Sequence, residues 1–287
     1  MDVRFVSGAP KFIMTYIELI NECKQKYCDT TNYIYYELLF FVSKIVKNKT
    51  DFAFNGKKNI DFNANKYFKY LNRYYKDNEP LGSIIGFIKF CGLNLKIDKD
   101  ILVPRDETEE LVKLAIPIIK KHKITSLYDL CCGTGNIGLA IKNSIPSISI
   151  TCIDINKKAI LNTKRNAKLN NIKINVICGD FYKSIKTKAD CIICNPPYVD
   201  KNDLNKEMIK YESKISFSNS ESSLSFYEKL ISNVDLILNK KFLLIFEIGY
   251  NQKKDITKIL KRNDLYKNSK FYKDSYNVDR FLIINTY

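Results

Sequence analysis

Asn195-Pro196-Pro197-Tyr198, in the second half of the chain, combines an amide side chain, two prolines and an aromatic ring. The prolines hold the backbone rigid and leave carbonyls with no N–H donors of their own beside them. The Asn195 side-chain oxygen and the Pro196 carbonyl can then accept both hydrogens of one NH2 group. Such a nitrogen, if it belongs to an amide or an aryl amine, is a poor nucleophile because its lone pair is delocalised. Accepting its hydrogens localises electron density on nitrogen, while Tyr198 can stack on the planar group. This chemistry rests on positioning and on stabilising positive charge as it develops. No general base of perturbed pKa is required, which suits a chain whose one histidine, His122, stands at the end of a lysine-rich helix. The plain alternative is a loop that merely ends a strand with Pro-Pro.

Three further strand ends suit a single cofactor. Asp129-Leu130-Cys131-Cys132-Gly133-Thr134-Gly135 closes an apolar strand with a glycine-rich turn, where a ligand can approach the backbone closely. Asp129 ahead of that turn fits an amino-acid tail, whose ammonium group needs a carboxylate or carbonyls. Asp154 ends the next strand and can accept both ribose hydroxyls of an adenosine. Its alternative duty as a helix N-cap falls better to Asn156. Asp180-Phe181 ends a third strand, offering a carboxylate to an adenine amino group and a ring beside the base. Together these ends point to S-adenosylmethionine, with Asp129, Cys131, Cys132, Gly133, Thr134, Gly135, Asp154, Asp180, Phe181 and Asn195 as candidate contacts. No metal is expected.

The elements that must position these residues follow from the hydrophobic rhythm. From Leu127 onward strands and helices alternate: strands over 126–132, 148–155, 174–178, 189–194 and 242–248, helices over 136–143, 157–170 and 224–238. That alternation predicts an α/β domain, a parallel sheet covered on both faces. Residues 266–272 and 280–285, around a turn at Tyr276-Asn277, predict a terminal antiparallel hairpin. Upstream, residues 14–75 show helical spacing, with Asp61 or Asn63 as the N-cap of a third helix. Residues 1–13 read as an ill-ordered extension. Glu79-Pro80-Leu81-Gly82 is a breaker, and residues 86–97 alternate as a short hairpin would. The expected organisation is a helical domain over 1–78, a β-hairpin linker over 79–103 and a cofactor-binding domain over 104–287.

Composition narrows the class. At 287 residues, 45% apolar and 27% charged, the chain can bury an ordinary core. Its net charge of +16 comes from 41 lysines against 6 arginines, the signature of biased codon usage spread over a surface. Arginine clusters would speak more strongly for phosphate recognition. The nine cysteines are scattered, and Cys191 and Cys194, three apart in a strand, face opposite ways and cannot share a metal. They read as reduced thiols in a cytoplasmic protein. No apolar run is long enough to span a bilayer.

The order of these motifs is similar to that of class I methyltransferases that modify planar nitrogens. More narrowly, over most of residues 79–287, the chain resembles the release-factor glutamine N5-methyltransferases of the HemK/PrmC type. Glu79-Pro80-Leu81-Gly82-Ser83-Ile84-Ile85-Gly86 looks like that family's E-P-x-x-x-I-x-G. Leu102 to Val112 is similar to its hallmark L-I-P-R-x-E-T-E-x-L-V. Tyr211-Glu212, Glu247-Ile248-Gly249 and Asp279-Arg280 match as well. Departures are Cys131 where glycine is common, Phe181 where a larger aromatic often sits, and Ser213 where proline is usual.

The resemblance implies a Rossmann-like fold, a mostly parallel seven-stranded sheet with an antiparallel C-terminal hairpin, behind a small all-α domain that helps grip the protein substrate. It implies methylation of the Gln in the Gly-Gly-Gln loop of a peptide-chain release factor. Separately, a monomer is expected, and nucleic acid is not expected as substrate, since no segment reads as an RNA-binding module. Asn195, Pro196, Pro197 and Tyr198 would hold the glutamine amide, with Arg105 and Glu107 beside them. Rival readings are a ribosomal-protein glutamine methyltransferase, a nucleic-acid adenine-N6 or guanine-N2 methyltransferase, and a non-catalytic cofactor-binding protein.

Overall fold

The computed structural model describes residues 15–29, 33–42, 62–199, 208–217 and 223–287. The chain divides after Ile85 into two units. The expected extension over 1–13 and the Asp61 cap lie outside the described residues.

In the first unit, α1 (Tyr16–Tyr27) begins at a capping box in which Thr15 and Glu18 satisfy each other's backbone amides. α2 (Tyr33–Val42) and α3 (Ala64–Tyr75) follow, the latter capped by Asn63. A short α4 (Leu81–Ile85) ends the unit. Leu19, Cys23, Leu38, Leu39 and Leu71 pack with three buried tyrosines, Tyr16, Tyr35 and Tyr67. Buried hydroxyls need partners, and Tyr67 donates to the Tyr35 carbonyl at 3.1 Å while Tyr35 donates to that of Cys23 at 3.3 Å. Glu79 is buried and holds Arg73 of α3 through two hydrogen bonds of 2.7 and 2.5 Å. That clasp explains why the division falls beyond the Glu79-Pro80 breaker rather than at it.

The second unit opens with a hairpin, β1 (Phe87–Phe90) and β2 (Leu93–Lys96). Its two-residue turn, Cys91-Gly92, has φ of 46° and 79°, the conformation that matches strand twist in tight hairpins. Phe90, Leu93 and Leu95 are buried in this unit's core, and the Lys96 amide donates to Asn166 at 2.7 Å. The hairpin is thus part of the second unit's wall, where the sequence pattern predicts a linker.

Next come α5 (Asp106–Lys121), β3 (Ser126–Leu130), α6 (Asn136–Ser144), β4 (Ser149–Asp154), α7 (Lys157–Leu169), β5 (Asn175–Cys178), α8 (Phe181–Ser184) and β6 (Ala189–Cys194). The remainder holds α9 (Met208–Tyr211), α10 (Lys214–Phe217), α11 (Ser225–Ile231), α12 (Val234–Ile237), β7 (Leu238–Glu247), α13 (Lys253–Arg262), β8 (Ser269–Lys273) and β9 (Asp279–Asn285). The seven-stranded sheet runs β5-β4-β3-β6-β7-β9-β8. It is parallel from β5 to β7, while β9 pairs antiparallel with both neighbours. Leucines and isoleucines of α5, α6 and α7 cover one face, and α11, α12 and α13 the other. Cys191 is buried in the first layer and Cys194 in the second, so this pair straddles the sheet.

Two expected elements differ. The helix over 224–238 breaks at Ser232-Asn233, where the Asn233 side chain donates back to the Lys229 carbonyl at 2.8 Å, competing with the helical pattern. Leu238 then pairs with Ala189 as the start of β7. His122 caps α5, with Nε2 3.1 Å from Asn285 Nδ2 and its ring tilted on Tyr287, so it joins two elements. Among the described residues no helix is long and apolar enough to cross a membrane, and no cluster of His, Cys, Asp or Glu could hold a metal. All nine cysteines are free.

Candidate active site

The strand order reverses between β3 and β6, and a crevice at the carboxyl ends of the strands is the place such sheets offer a ligand. A cavity of about 300 Å³ opens there. Cys131 and Gly133 line it from the turn after β3, Asp154, Ile155 and Asn156 from β4, and Gly179, Asp180 and Phe181 from β5. Asn195 and Pro197 follow β6, and Ile101, Leu102, Ser216, Phe226 and Lys229 add to the wall.

The turn after β3 is built by backbone geometry. Cys131, Gly133 and Gly135 all take positive φ, of 57°, 54° and 77°. Glycine is at home in that region and an L side chain is strained there, so Cys131 holds a conformation that a glycine would take at less cost. A Cβ on Gly133 would meet nothing within 4 Å, so the turn leaves space on that side. A Cβ on Gly138 would come within 2.7 Å of Cys152 Sγ and 2.9 Å of Asp129 Oδ2, so only glycine lets α6 pack this closely on β3 and β4.

Asp154 pins this turn from the neighbouring strand. Its carboxylate accepts from the Gly133 amide at 2.9 Å and the Asn156 amide at 2.8 Å, and burial pushes its pKa up. Each carboxylate oxygen can accept more than one hydrogen bond, so capacity remains for hydroxyls in the cavity. Asp180 spends one oxygen on the Tyr182 amide at 3.0 Å. Phe181 lies 5.5 Å from Phe226, and together with Ile155, which is 55% exposed, they give the cavity apolar surface suited to a base. This donor set fits S-adenosylmethionine.

Four of the candidate contacts lie elsewhere. Asp129 is fully buried beneath the turn, where Oδ2 accepts from the Gly138 amide at 2.8 Å and from the Cys152 thiol at 3.7 Å. Burial pushes it up to about 7, and Oδ1 has no partner. The pleat aims this side chain toward α6, and it does not line the cavity. Cys132, Thr134 and Gly135 likewise turn inward, the first two buried and the last against Thr163 of α7.

A second group of side chains is joined behind Asn195. Asn195 Nδ2 donates to Thr108 Oγ1 at 3.3 Å, and Thr108 Oγ1 donates to Glu247 Oε2 at 2.7 Å. The Tyr198 hydroxyl donates to the other Glu247 oxygen at 3.1 Å, and Gln252 Nε2 donates to the Tyr198 carbonyl at 3.0 Å. Thr108 and Glu247 are 2% and 1% exposed, and burial raises the pKa of Glu247. Pro196 and Tyr198 are not among the cavity-lining residues, and the Tyr198 hydroxyl is tied to this network.

Arg105 and Glu107 do not line the cavity either. Arg105 pairs with buried Glu212 at 2.8 Å, and Glu212 also accepts from the Val103 amide at 2.8 Å. This anchors the stretch bearing Ile101 and Leu102. The roles of Thr108, Glu212, Glu247 and Gln252 do not show in the residue types alone. The available signals are the motif matches that hold Thr108, Glu212 and Glu247, and a carboxylate closing an apolar run, Leu243 to Glu247, since a buried acid demands partners.

Residues 106–220 match the family described as Methyltransferase small domain. A release factor glutamine methyltransferase of Fusobacterium nucleatum is 33% identical, over 82% of this chain and 66% of that protein. One from Chlamydia trachomatis serovar D is 31% identical, over 76% of each. Among solved structures, the hMettl16 catalytic domain bound to a MAT2A 3'UTR hairpin shares the fold at a TM-score of 0.55 and 13% identity, over 93% of this chain and 92% of that one. The last likeness concerns the fold alone. Identity above 30% sustained over three quarters of both sequences goes further: the chain belongs to the release factor glutamine methyltransferase family, enzymes whose methyl donor is S-adenosylmethionine.

Proposed function

We propose that this enzyme methylates the side-chain amide nitrogen of the Gln in the Gly-Gly-Gln motif of a peptide-chain release factor. The observation that carries this reading is that Asn195 and Pro197 line the same cavity as Asp154 and Phe181. A nitrogen held by the tetrapeptide therefore lies beside the place suited to the cofactor. Asp154 would hold the ribose, Asp180 and Phe181 the adenine, and the Cys131–Gly133 turn the amino-acid tail. The bound cofactor supplies an electrophilic methyl group.

Asn195 Oδ1 and the Pro196 carbonyl accept the two amide hydrogens, turning the nitrogen lone pair toward that methyl. The nitrogen would take the methyl group as that group's bond to the cofactor sulfur breaks, leaving a neutral thioether, so positive charge would grow on nitrogen beside these two oxygens before one proton leaves to water. Preorganised dipoles aimed at developing charge are the main source of rate in such sites. A reducing cytoplasm suits nine unpaired thiols.

The test is transfer of label from S-adenosylmethionine to a purified release factor, beside its Gln→Ala variant and bulk RNA. Label on the wild-type factor alone is the expected outcome. Label on RNA would instead assign the +16 charge to substrate binding and overturn the glutamine reading.

A further inference from the structure

An asparagine can serve the chemistry above only if its oxygen, and not its NH2, faces the acceptor nitrogen. The two ends of the amide are nearly the same size, so sterics alone cannot choose between them. The choice is made by hydrogen bonds. The hydroxyls of Thr108 and Tyr198 favour the carboxylate form of Glu247 against the burial that raises its pKa, and that form can only accept. Both its oxygens are engaged by hydroxyl donors, Thr108 at 2.7 Å and Tyr198 at 3.1 Å. The single hydroxyl proton of Thr108 is thereby committed to Glu247, and its oxygen is left as an acceptor. The group 3.3 Å from it must then donate, which puts Asn195 Nδ2 on that side. Oδ1 is left as the free end of the amide.

We infer that Thr108 and Glu247 are positioning residues that lock the Asn195 amide with its oxygen presented to the acceptor nitrogen. This inference rests on the reading of Asn195 given above. It assigns a task to Thr108, at the start of α5, and to Glu247, at the end of β7, neither of which lines the cavity. With the carboxylate and the hydroxyl both almost fully buried, water cannot readily substitute for either partner.

The experiment compares Thr108→Val, which keeps the shape and removes the hydroxyl, with Thr108→Ser, which keeps the hydroxyl. In Thr108→Val, kcat for methyl transfer should fall roughly ten- to a hundredfold, as for other small misplacements of a catalytic group. Cofactor affinity by calorimetry should stay within about twofold. Thr108→Ser should restore most of the rate, which a role in bulk packing would not predict. Adding Asn195→Ala to Thr108→Val should cost little more, because a misoriented amide has already lost its function.

A second readout needs no substrate. In ¹⁵N-labelled protein the Asn195 side-chain amide signals are identified by their loss in Asn195→Ala. One of the two protons should exchange slowly in the wild type and in Thr108→Ser, and fast in Thr108→Val. If the wild type methylates no release factor, the substrate reading fails and the amide exchange alone decides this inference. Exchange unaltered by Thr108→Val overturns it. If the wild type is active, a full rate in Thr108→Val overturns it whatever the amide signals do.

Discussion

The two walls of the cavity are held by different kinds of bond. On the cofactor side, main-chain amides do the holding: those of Gly133 and Asn156 donate to Asp154, and that of Tyr182 donates to Asp180. Side chains dominate on the acceptor side, where Asn195 meets Thr108 across 87 positions of sequence and Thr108 meets Glu247 across 139. Tyr198 meets Glu247 across 49 positions. The first wall is largely set once β3, β4 and β5 pair in register. The second exists only after α5, the loop behind β6 and the end of β7 have docked together. One side-chain change should therefore damage the acceptor wall most in rate, and the cofactor wall most in affinity or stability.

The sharpest way to break that contrast is Asn195→Ala. Turnover should fall at least about a hundredfold, since an oriented acceptor is lost, while cofactor affinity by calorimetry remains measurable. A variant with the wild-type rate would leave the acceptor wall without a purpose. Asp154→Ala tests the other side. Losing charge-assisted hydrogen bonds should weaken cofactor binding about ten- to a hundredfold, with a smaller change in rate at saturation. Equal affinity in wild type and variant would show that the turn, not the carboxylate, holds the cofactor.

Smaller effects sharpen the comparison. Gly138→Ala adds a methyl where Cys152 and Asp129 already crowd the position, and overpacking of this kind costs about 1–3 kcal/mol. Urea unfolding should show the loss, whereas an unchanged midpoint would mean that α6 can shift without penalty. Asp129 offers a pH test. Burial raises its folded pKa to about 7 from an ordinary 3.8, so between those values the folded state binds the extra proton. The contribution is present below the unfolded pKa and is lost as pH rises through about 7, with a slope of at most about 1.4 kcal/mol per pH unit. Asp129→Asn should flatten stability against pH between about 5 and 7.5, and an unaltered slope would assign the titration to another group.

Much of this site is legible in the residues themselves. The apolar run over 189–194 has the same ends as β6, and Asp154, Phe181 and Asn195 stand at strand ends that do line the cavity. Alternating apolar residues report which segments become strands, and the carboxyl end of a parallel strand is a fixed location in such a fold. Pattern is a poor guide where a side chain's direction depends on what packs above it. Asp129, expected at the cofactor, is instead buried under Gly138. The hairpin at 87–96, expected as a linker, instead contributes to the core, because Asn166 of α7 meets its Lys96 amide.

What the sequence determined by itself is the chemistry available, an asparagine held by two prolines behind one β-strand and acids at or just beyond the ends of three earlier ones, because such patterns are local. Which end of the Asn195 amide faces the acceptor could be decided only by the tertiary structure. That choice depends on the Thr108 hydroxyl donating its one hydrogen bond to Glu247, and these residues meet only when α5 has docked against the end of β7.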